Sequence, residues 1–85
     1  MNNELGKTLE QRGQSYGDFK THAAIAQQMK RSMELGKSYH LLDDDMKEAL
    51  EMVCHKIGRI VNGDPRYKDS WHDIIGYVAL VEKRL

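Results

Sequence analysis

The segment DDMKEALEMVCHKIGRIVNGDP limits the possible folds of this chain more than any other stretch. Its apolar residues recur every three or four positions, which is the spacing of one face of an amphipathic helix and not the alternation of a strand. The members of this stripe are Met46, Ala49, Leu50, Val53, Cys54, Ile57, Ile60 and Val61. Because Asn-Gly-Asp-Pro follows at once, the pattern predicts a third helix from about Asp45 to Asn62 that ends sharply.

Two other helices of similar length are predicted from the same spacing. Asp18 is a suitable N-cap for a second helix from about Phe19 to Leu35, which Gly36 would end. A fourth helix should run from about Asp69 to Leu85, with basic residues at its negative C-terminal end. The residues expected to face inward are Phe19, Ala23, Ala26, Met29 or Lys30, and Met33 on the second helix, and Trp71, Ile74, Ile75, Val78 and Val81 on the fourth.

The N-terminal segment NELGKTLEQRG predicts a short first helix that carries Leu5 and Leu9 on one side and is closed by Gly13. No hairpin turn of the Asn-Gly type joins two β-branched runs. The expected fold is therefore all-α, with one domain over residues 1–85 built as a small bundle of three main helices plus the short N-terminal helix. Since a chain of 85 residues buries only about 60–65% of the surface of its unfolded form, a homo-oligomer is expected as additional stabilisation.

Charge and composition argue against several classes of function. Thirteen basic and thirteen acidic side chains cancel, so the basic field of a duplex-DNA-binding protein is missing. No apolar run approaches the roughly 20 residues that cross a bilayer, and the N-terminus lacks the apolar core of a signal peptide. The single cysteine, Cys54, lies on the apolar stripe, as expected for a buried thiol in a reducing compartment. We therefore expect a cytoplasmic protein whose partners include neither duplex DNA nor a membrane.

The common motifs of nucleophilic and zinc catalysis are missing from the sequence. It has no G-x-S-x-G, no C-x-x-C, no H-E-x-x-H and no glycine-rich loop between a strand and a helix. Serine hydrolase, zinc enzyme and P-loop functions are therefore disfavoured.

Four carboxylates on the third and fourth predicted helices suggest a magnesium site. Glu48 and Glu51 are spaced i and i+3, and Asp69 and Asp73 are spaced i and i+4, so each pair lies on one helix face. Magnesium takes about six oxygen ligands and usually receives only some of them from protein. If the two helices pack antiparallel in a suitable register, the two pairs can share one Mg²⁺.

The same acids have an alternative role as helix caps. Ser70 followed by Asp73 matches a capping box, and Asp45 followed by Glu48 is a looser variant of it. Spacing alone does not decide between a metal site and two capped helices.

Basic and aromatic side chains on the same segments are candidates for contacts to a ligand. Lys56 and Arg59 carry the charge to hold phosphate, and Tyr16 and Tyr77 have faces on which a base can stack. The alternatives are a solvated basic edge for the first two residues and structural packing for the two tyrosines.

Three stretches together carry a resemblance to known proteins: RGQSYGDF, EALEMVCHKIGRIVNGDP and DSWHDIIGYVALV. Over nearly its whole length the chain resembles a family of small phage and prophage proteins of unassigned function. More distantly, the YGD near the start, the middle helix with its acids and lysine, and the final Asp-Ile-Ile-Gly-Tyr helix are similar to nucleotide-modification-associated domains of phages. They are also similar to the MazG-type all-α nucleotide pyrophosphohydrolases.

The distant resemblance implies an activity and a metal. MazG-type enzymes hold magnesium with an E-x-x-E pair on one helix and an E-x-x-D pair on the next, and they cut nucleoside triphosphates to monophosphates. Glu48 and Glu51 match the first pair, and Asp73 matches the last acid. The remaining acid is replaced by Ser70, and the nearest carboxylate is Asp69, one position earlier.

Two hypotheses for the function follow. In the first, a phage-encoded protein binds a nucleoside phosphate between the third and fourth helices and sequesters it, or hydrolyses it with Mg²⁺, at a site completed by a second subunit. The ligand contacts would come from Tyr16, His55, Lys56, Arg59, His72 and Tyr77, with the histidines as proton carriers. In the second, a helical oligomeric protein binds and inhibits a host defence protein and has no small-molecule chemistry.

Overall fold

The computed structural model describes residues 3–85, and within this range the chain forms four α-helices and no strand. The predicted all-α fold is therefore confirmed. The elements are α1 (Asn3–Tyr16), α2 (Phe19–Met33), a single 3₁₀ turn (Tyr39–Leu41), α3 (Asp44–Asn62) and α4 (Lys68–Glu82). Along residues 3–85, no helix combines the length and the apolar character needed to cross a bilayer.

The first helix is longer than its sequence suggests. It continues through Gly13 to Tyr16, and the turn comes at Gly17, whose N–H donates to the carbonyl oxygen of Gly13 at 2.9 Å. Gly17 has a φ of 78°, in the left-handed region that favours glycine. A Cβ at Gly17 would also collide with the backbone carbonyl of Asn62. The prediction that Gly13 closes the helix is wrong because the close approach at Gly17 decides where the chain reverses.

The second helix begins as predicted, and its predicted inward face is correct at Ala26 and wrong at Phe19. Asp18 is its N-cap, and its Oδ2 accepts a hydrogen bond from the N–H of Thr21 at 2.8 Å. Phe19, expected inside, is 77% exposed, whereas His22 and Ala26 are buried. The inward face of α2 therefore includes His22 and Ala26 and leaves out the phenyl ring of Phe19.

Hydrogen bonds join the elbow between α1 and α2 to the C-terminal end of α3. The amide of Asn62 donates to the carbonyl oxygen of Asp18 at 2.9 Å, and the N–H of Asp64 donates to the carbonyl oxygen of Ser15 at 2.8 Å. These contacts fix the elbow beside α3 and shape the cavity described below.

Neither predicted capping box is formed. The N-cap of α4 is Tyr67, and Ser70 lies inside the helix, buried, with its N–H directed to the carbonyl oxygen of Tyr67. The N-cap of α3 is Asp43, and Asp45 lies within the first turn. Asp45 instead pairs with Arg84 at 2.6 Å, which ties the end of α4 to the start of α3.

The apolar core within residues 3–85 is small. Its buried apolar members are Ala26, Ala49, Cys54 and Ile60. The predicted inward positions Trp71, Ile75 and Val78 are exposed, and the indole of Trp71 donates to the carbonyl oxygen of Pro65 at 2.9 Å. The prediction fails because, within residues 3–85, α4 packs mainly against one helix, α3, which covers only part of its apolar circumference.

Candidate functional site

A cavity of about 380 Å³ lies where α1 and α2 meet beside α3. We call it the elbow cavity. Its volume lies within the range of pockets that hold small molecules. It is lined by Leu9, Arg12, Gly13, Tyr16, Gly17, Asp18, Phe19, His22, His55 and Arg59. Of the predicted ligand residues, this cavity gathers Tyr16, His55 and Arg59.

Two histidines form the inner wall of the elbow cavity. His22 Nε2 and His55 Nδ1 are 3.2 Å apart, and the two rings meet edge to face with centroids separated by 4.5 Å. His22 is only 4% exposed and packs directly over Gly58. A Cβ at Gly58 would lie 2.7 Å from Nδ1 of His22, so the missing side chain makes room for the imidazole.

The pKa values of both histidines are lowered, which favours neutral imidazoles at physiological pH. Burial, and next the nearby Arg59 charge, lower the pKa of His55 from 6.5 to about 4. The same two causes, in the same order, lower the pKa of His22. In a neutral pair, one imidazole N–H donates to the bare ring nitrogen of the other. Among the described residues, Nδ1 of His22 has no hydrogen-bond partner.

Arginine side chains supply positive charge to the elbow cavity. The Arg59 guanidinium lies 4.2 Å from the centre of the Tyr16 ring, which itself stacks on Tyr67 with centroids 5.6 Å apart. A cation held over an aromatic face in this way is positioned without a carboxylate. Neither Arg59 nor Arg12 is ion-paired within residues 3–85. Their charge is therefore available to an anion in the cavity.

The predicted magnesium ligands are not assembled into one cluster. Nowhere along residues 3–85 do three or more His, Cys, Asp or Glu side chains come together in a group that could hold a metal. Asp73 instead pairs with Lys56 at 2.8 Å, and hydrogen bonding to that ammonium lowers the pKa of the carboxyl. Glu48 lines a separate cleft on the α4 side of α3. The arrangement does not fit a protein-built cage for Mg²⁺.

The other predicted site residues lie outside the elbow cavity. Glu51 is half-buried on α3, and Asp69 is exposed in the first turn of α4, where its charge acts on Tyr67. His72 is exposed, and Tyr77 lines the clefts on the α4 side together with Asp73. The structure thus separates the predicted acids and Lys56 from Tyr16, His55 and Arg59.

Residues 5–85 match a family model described as a domain of unknown function, DUF6378. The chain belongs to this family. Comparisons with curated proteins and with solved structures give no match. Since the family description names no activity, the function of this DUF6378 domain has to be argued from its own residues.

Three residues of the elbow cavity were not expected from the sequence of this DUF6378 domain: Arg12, Phe19 and His22. His22 sits four positions before Ala26, on the buried face of α2, and its partner is 33 residues away. Gly58 is the sequence feature that could have indicated this contact. A glycine inside a helix costs about 1 kcal/mol of stability relative to alanine, so its presence indicates that another part of the chain approaches the helix backbone there. Which side chain approaches it depends on how α2 packs against α3.

Proposed function

We propose that this protein binds a nucleoside phosphate in the elbow cavity and holds it without turnover. The observation that carries the proposal is the combination, in one cavity, of Arg12 and Arg59, a neutral histidine pair and exposed aromatic surface. Guanidinium groups bind phosphate oxygens through strong, often bidentate hydrogen bonds. A nucleotide is the common ligand class that brings phosphate and an aromatic ring together.

Phe19 is the aromatic face offered to the base. Its ring is 77% exposed at the rim of the cavity, and its centroid lies 6.2 Å from that of His22. Stacking of a nucleobase on an aromatic side chain contributes about 1–3 kcal/mol. Tyr16, the aromatic expected from the sequence, is already engaged with Arg59 and Tyr67. Its role in this proposal is to hold Arg59 in place.

The histidine pair suits recognition of the uncharged parts of a nucleotide. A neutral imidazole has one donor and one acceptor nitrogen, and both match the hydroxyls of a sugar or the edge of a base. His22 Nε2 and His55 Nδ1 face each other, and His22 Nδ1 is buried against Gly58, so the ring nitrogen that the pair offers to a ligand is Nε2 of His55.

Binding without hydrolysis fits the positions of the carboxylates. Metal-assisted hydrolysis needs acids that hold Mg²⁺ beside the phosphates, and the arrangement of Glu48, Glu51, Asp69 and Asp73 described above does not form such a group. Sequestration needs only affinity, which the elbow cavity can supply from its own residues. The predicted Mg²⁺ site therefore stays a prediction, and no step of the proposed function depends on it.

The distant resemblance to nucleotide-modification-associated domains and MazG-type enzymes supports nucleotides as the ligand class, and the resemblance to small phage proteins supports a phage origin. In this proposal a phage or prophage encodes the protein, which acts in the cytoplasm of the host bacterium. There it lowers the free concentration of one nucleotide, such as a signalling nucleotide made in defence.

A filtration assay tests the proposal. Purified protein is incubated with nucleoside triphosphates, dinucleotides and cyclic nucleotides, then filtered, and the nucleotides in the filtrate and those released from the protein by heat are analysed by mass spectrometry. We expect one class to be retained and released intact. Arg59→Gln and Arg12→Gln should abolish retention, whereas Arg31→Gln, at an exposed arginine outside the cavity, should not.

Two outcomes would contradict the proposed function. Unchanged retention by both cavity variants would place the ligand elsewhere on the protein, and a cleaved product would show turnover. If no nucleotide is retained by the wild-type protein, the alternative hypothesis of a protein that inhibits a host factor gains support.

A further inference from the structure

The helices α2, α3 and α4 lie side by side in a row, with α3 in the middle. On α3, Gly58 packs under His22 of α2, and Lys56 pairs with Asp73 of α4. These positions are roughly opposite each other on a helix with 3.6 residues per turn. Contact between α2 and α4 is marginal at most in the described part of the chain. The three helices therefore make one layer with two faces.

The two faces of this layer have different chemistry. The elbow cavity, with α1 over it, lies on the face that carries Arg59. Leu50 is nine residues before Arg59, or two and a half helical turns, so it projects from the opposite face. No helix within residues 3–85 packs across that side, which we call the open face, although Leu42 from the connection before α3 reaches one end of it.

The open face is apolar along both of the helices that form it. Leu50 and Val53 of α3 and Val78 of α4 line it. By helical spacing, exposed Val61 lies on the same side of α3 as Leu50, and exposed Trp71 and Ile75 lie on the same side of α4 as Val78. Ile75 is 64% exposed and Trp71 is 52% exposed. A groove of about 270 Å³ runs between the two helices at Val53 and Val78. Contiguous apolar surface of this kind is characteristic of an interaction site.

The protein exposes more surface than a monomer of its mass normally does. Its accessible surface is 6528 Å², against about 5,200 Å² expected for a folded monomer. Its radius of gyration is 14.8 Å, against about 12 Å expected for this length. The excess of about 1,300 Å² exceeds the roughly 800 Å² that each partner buries in a standard interface.

We infer that the open face is the interface of a twofold-symmetric homodimer, in which a second copy of this chain covers it with its own open face. Helices with an apolar face normally need a second layer to bury it, and one chain supplies only one layer. A twofold interface places the same patch on both subunits. The six side chains named above are uncharged, and Glu82, near the C-terminal end of α4, is the charged member of the groove lining, so pairing like with like brings little repulsion. Both elbow cavities then lie on the outer surfaces of the dimer.

Analytical ultracentrifugation of the full chain, supported by circular dichroism, tests the dimer. The wild-type protein should sediment with twice the 9.8 kDa mass of the chain. Ile75→Lys should give a monomer, because two buried ammonium groups would face the apolar partner surface. Leu80→Lys is the matched control, since Leu80 is 56% exposed on α4 and lines clefts on its other side. This control should remain a helical dimer.

Trp71 provides a second measurement that needs no mutation. It is the only tryptophan of the chain and half of it is exposed on the open face. In the dimer its emission should be blue-shifted and protected from acrylamide, and both effects should weaken on dilution. If Ile75→Lys fails to fold, the protection of Trp71 from acrylamide in the wild-type protein still tests the dimer. A monomeric wild-type protein, a dimeric Ile75→Lys variant, a monomeric Leu80→Lys variant or a freely quenched Trp71 would each overturn the inference.

Discussion

Gly58 lies directly under the imidazole of His22, so that the backbone of α3 and the side chain from α2 are closer than any residue with a Cβ would allow. Alanine at this position would place its Cβ 2.7 Å from Nδ1 of His22. In an open helix interior, Gly→Ala stabilises by up to about 1 kcal/mol. Here the overlap should outweigh that gain, and we expect Gly58→Ala to lower the free energy of unfolding by about 1–2 kcal/mol.

Urea unfolding measures this effect, and Gly76 provides the control. A Cβ at Gly76, inside α4, would meet nothing within 4 Å. Gly76→Ala should therefore stabilise the protein by about 0.5–1 kcal/mol. If both variants are stabilised, His22 does not pack against Gly58.

The histidine pair predicts that the protein loses stability as the pH falls through a defined window. In the unfolded chain His55 takes up a proton near its ordinary pKa of 6.5, but in the folded chain it does so only near 4. The unfolded state therefore binds more protons between these values, and the free energy of unfolding falls as the pH falls from 6.5 to 4. Burial is the main cause of the lowered pKa of His55, and Arg59, His22, Lys56 and Lys30 act in the same direction.

The pH range from 6.5 to 4 separates the contribution of the histidines to stability from that of the carboxylates. The pKa values of Asp18, Asp45 and Asp73 are lowered below 3.8, so their contributions are lost at more acidic pH. Urea midpoints measured across the window should slope for the wild type and become flatter in His55→Gln. His72→Gln, at an exposed histidine, should keep the slope. A proton NMR titration in which the His55 ring titrates near 6.5 would contradict the prediction.

The helices themselves could be predicted because their determinants are local. The apolar stripe of α3, the Asp18 N-cap and the Asn-Gly-Asp-Pro stop act within a few residues of the boundaries that they set. Cys54 was likewise expected to be buried from its place on the stripe, and it is.

The arrangement of the helices could not be predicted, because it depends on contacts between distant segments. Asp73 has the right spacing for a metal site or a capping box, and its actual partner is Lys56 on another helix. Likewise, Trp71 and Ile75 lie at the helical spacing of buried residues. This spacing does not show whether the surface that buries them belongs to the same chain or to a second one. The residues of the elbow cavity come from α1, α2 and α3, so their proximity is a property of the packed fold.

The ion pair of Lys56 and Asp73 predicts unequal effects of removing its two members. Lys56 is buried and Asp73 is only half-buried, with 2.8 Å between Nζ and Oδ2. Asp73→Ala leaves a buried ammonium without a partner and should destabilise the protein by about 1–3 kcal/mol. Lys56→Met keeps the side-chain volume and should be close to neutral, which thermal unfolding can measure.

The same variants bear on the magnesium prediction. If Asp73 served as a ligand to Mg²⁺, Lys56→Met would free its carboxylate and strengthen Mg²⁺ binding in a calorimetric titration. If Asp73 has only the structural role of pairing with Lys56, the titration of Lys56→Met with Mg²⁺ should match that of the wild type. Equal stability losses for the two variants would show that Lys56 is not the buried member of the pair.

The exposed ring of Phe19 predicts a variant that loses ligand binding while keeping its stability. Phe19→Ala removes little buried surface, so the free energy of unfolding should change by no more than about 0.5 kcal/mol. Loss of stacking on a nucleobase costs about 1–3 kcal/mol, which is roughly a 5- to 150-fold weaker affinity for the retained nucleotide.

The matched control is Leu35→Ala, since Leu35 is 87% exposed and lies outside the elbow cavity. Equilibrium dialysis with the nucleotide from the filtration assay measures both variants. Equal affinities of Phe19→Ala and wild type would show that the base does not stack on Phe19.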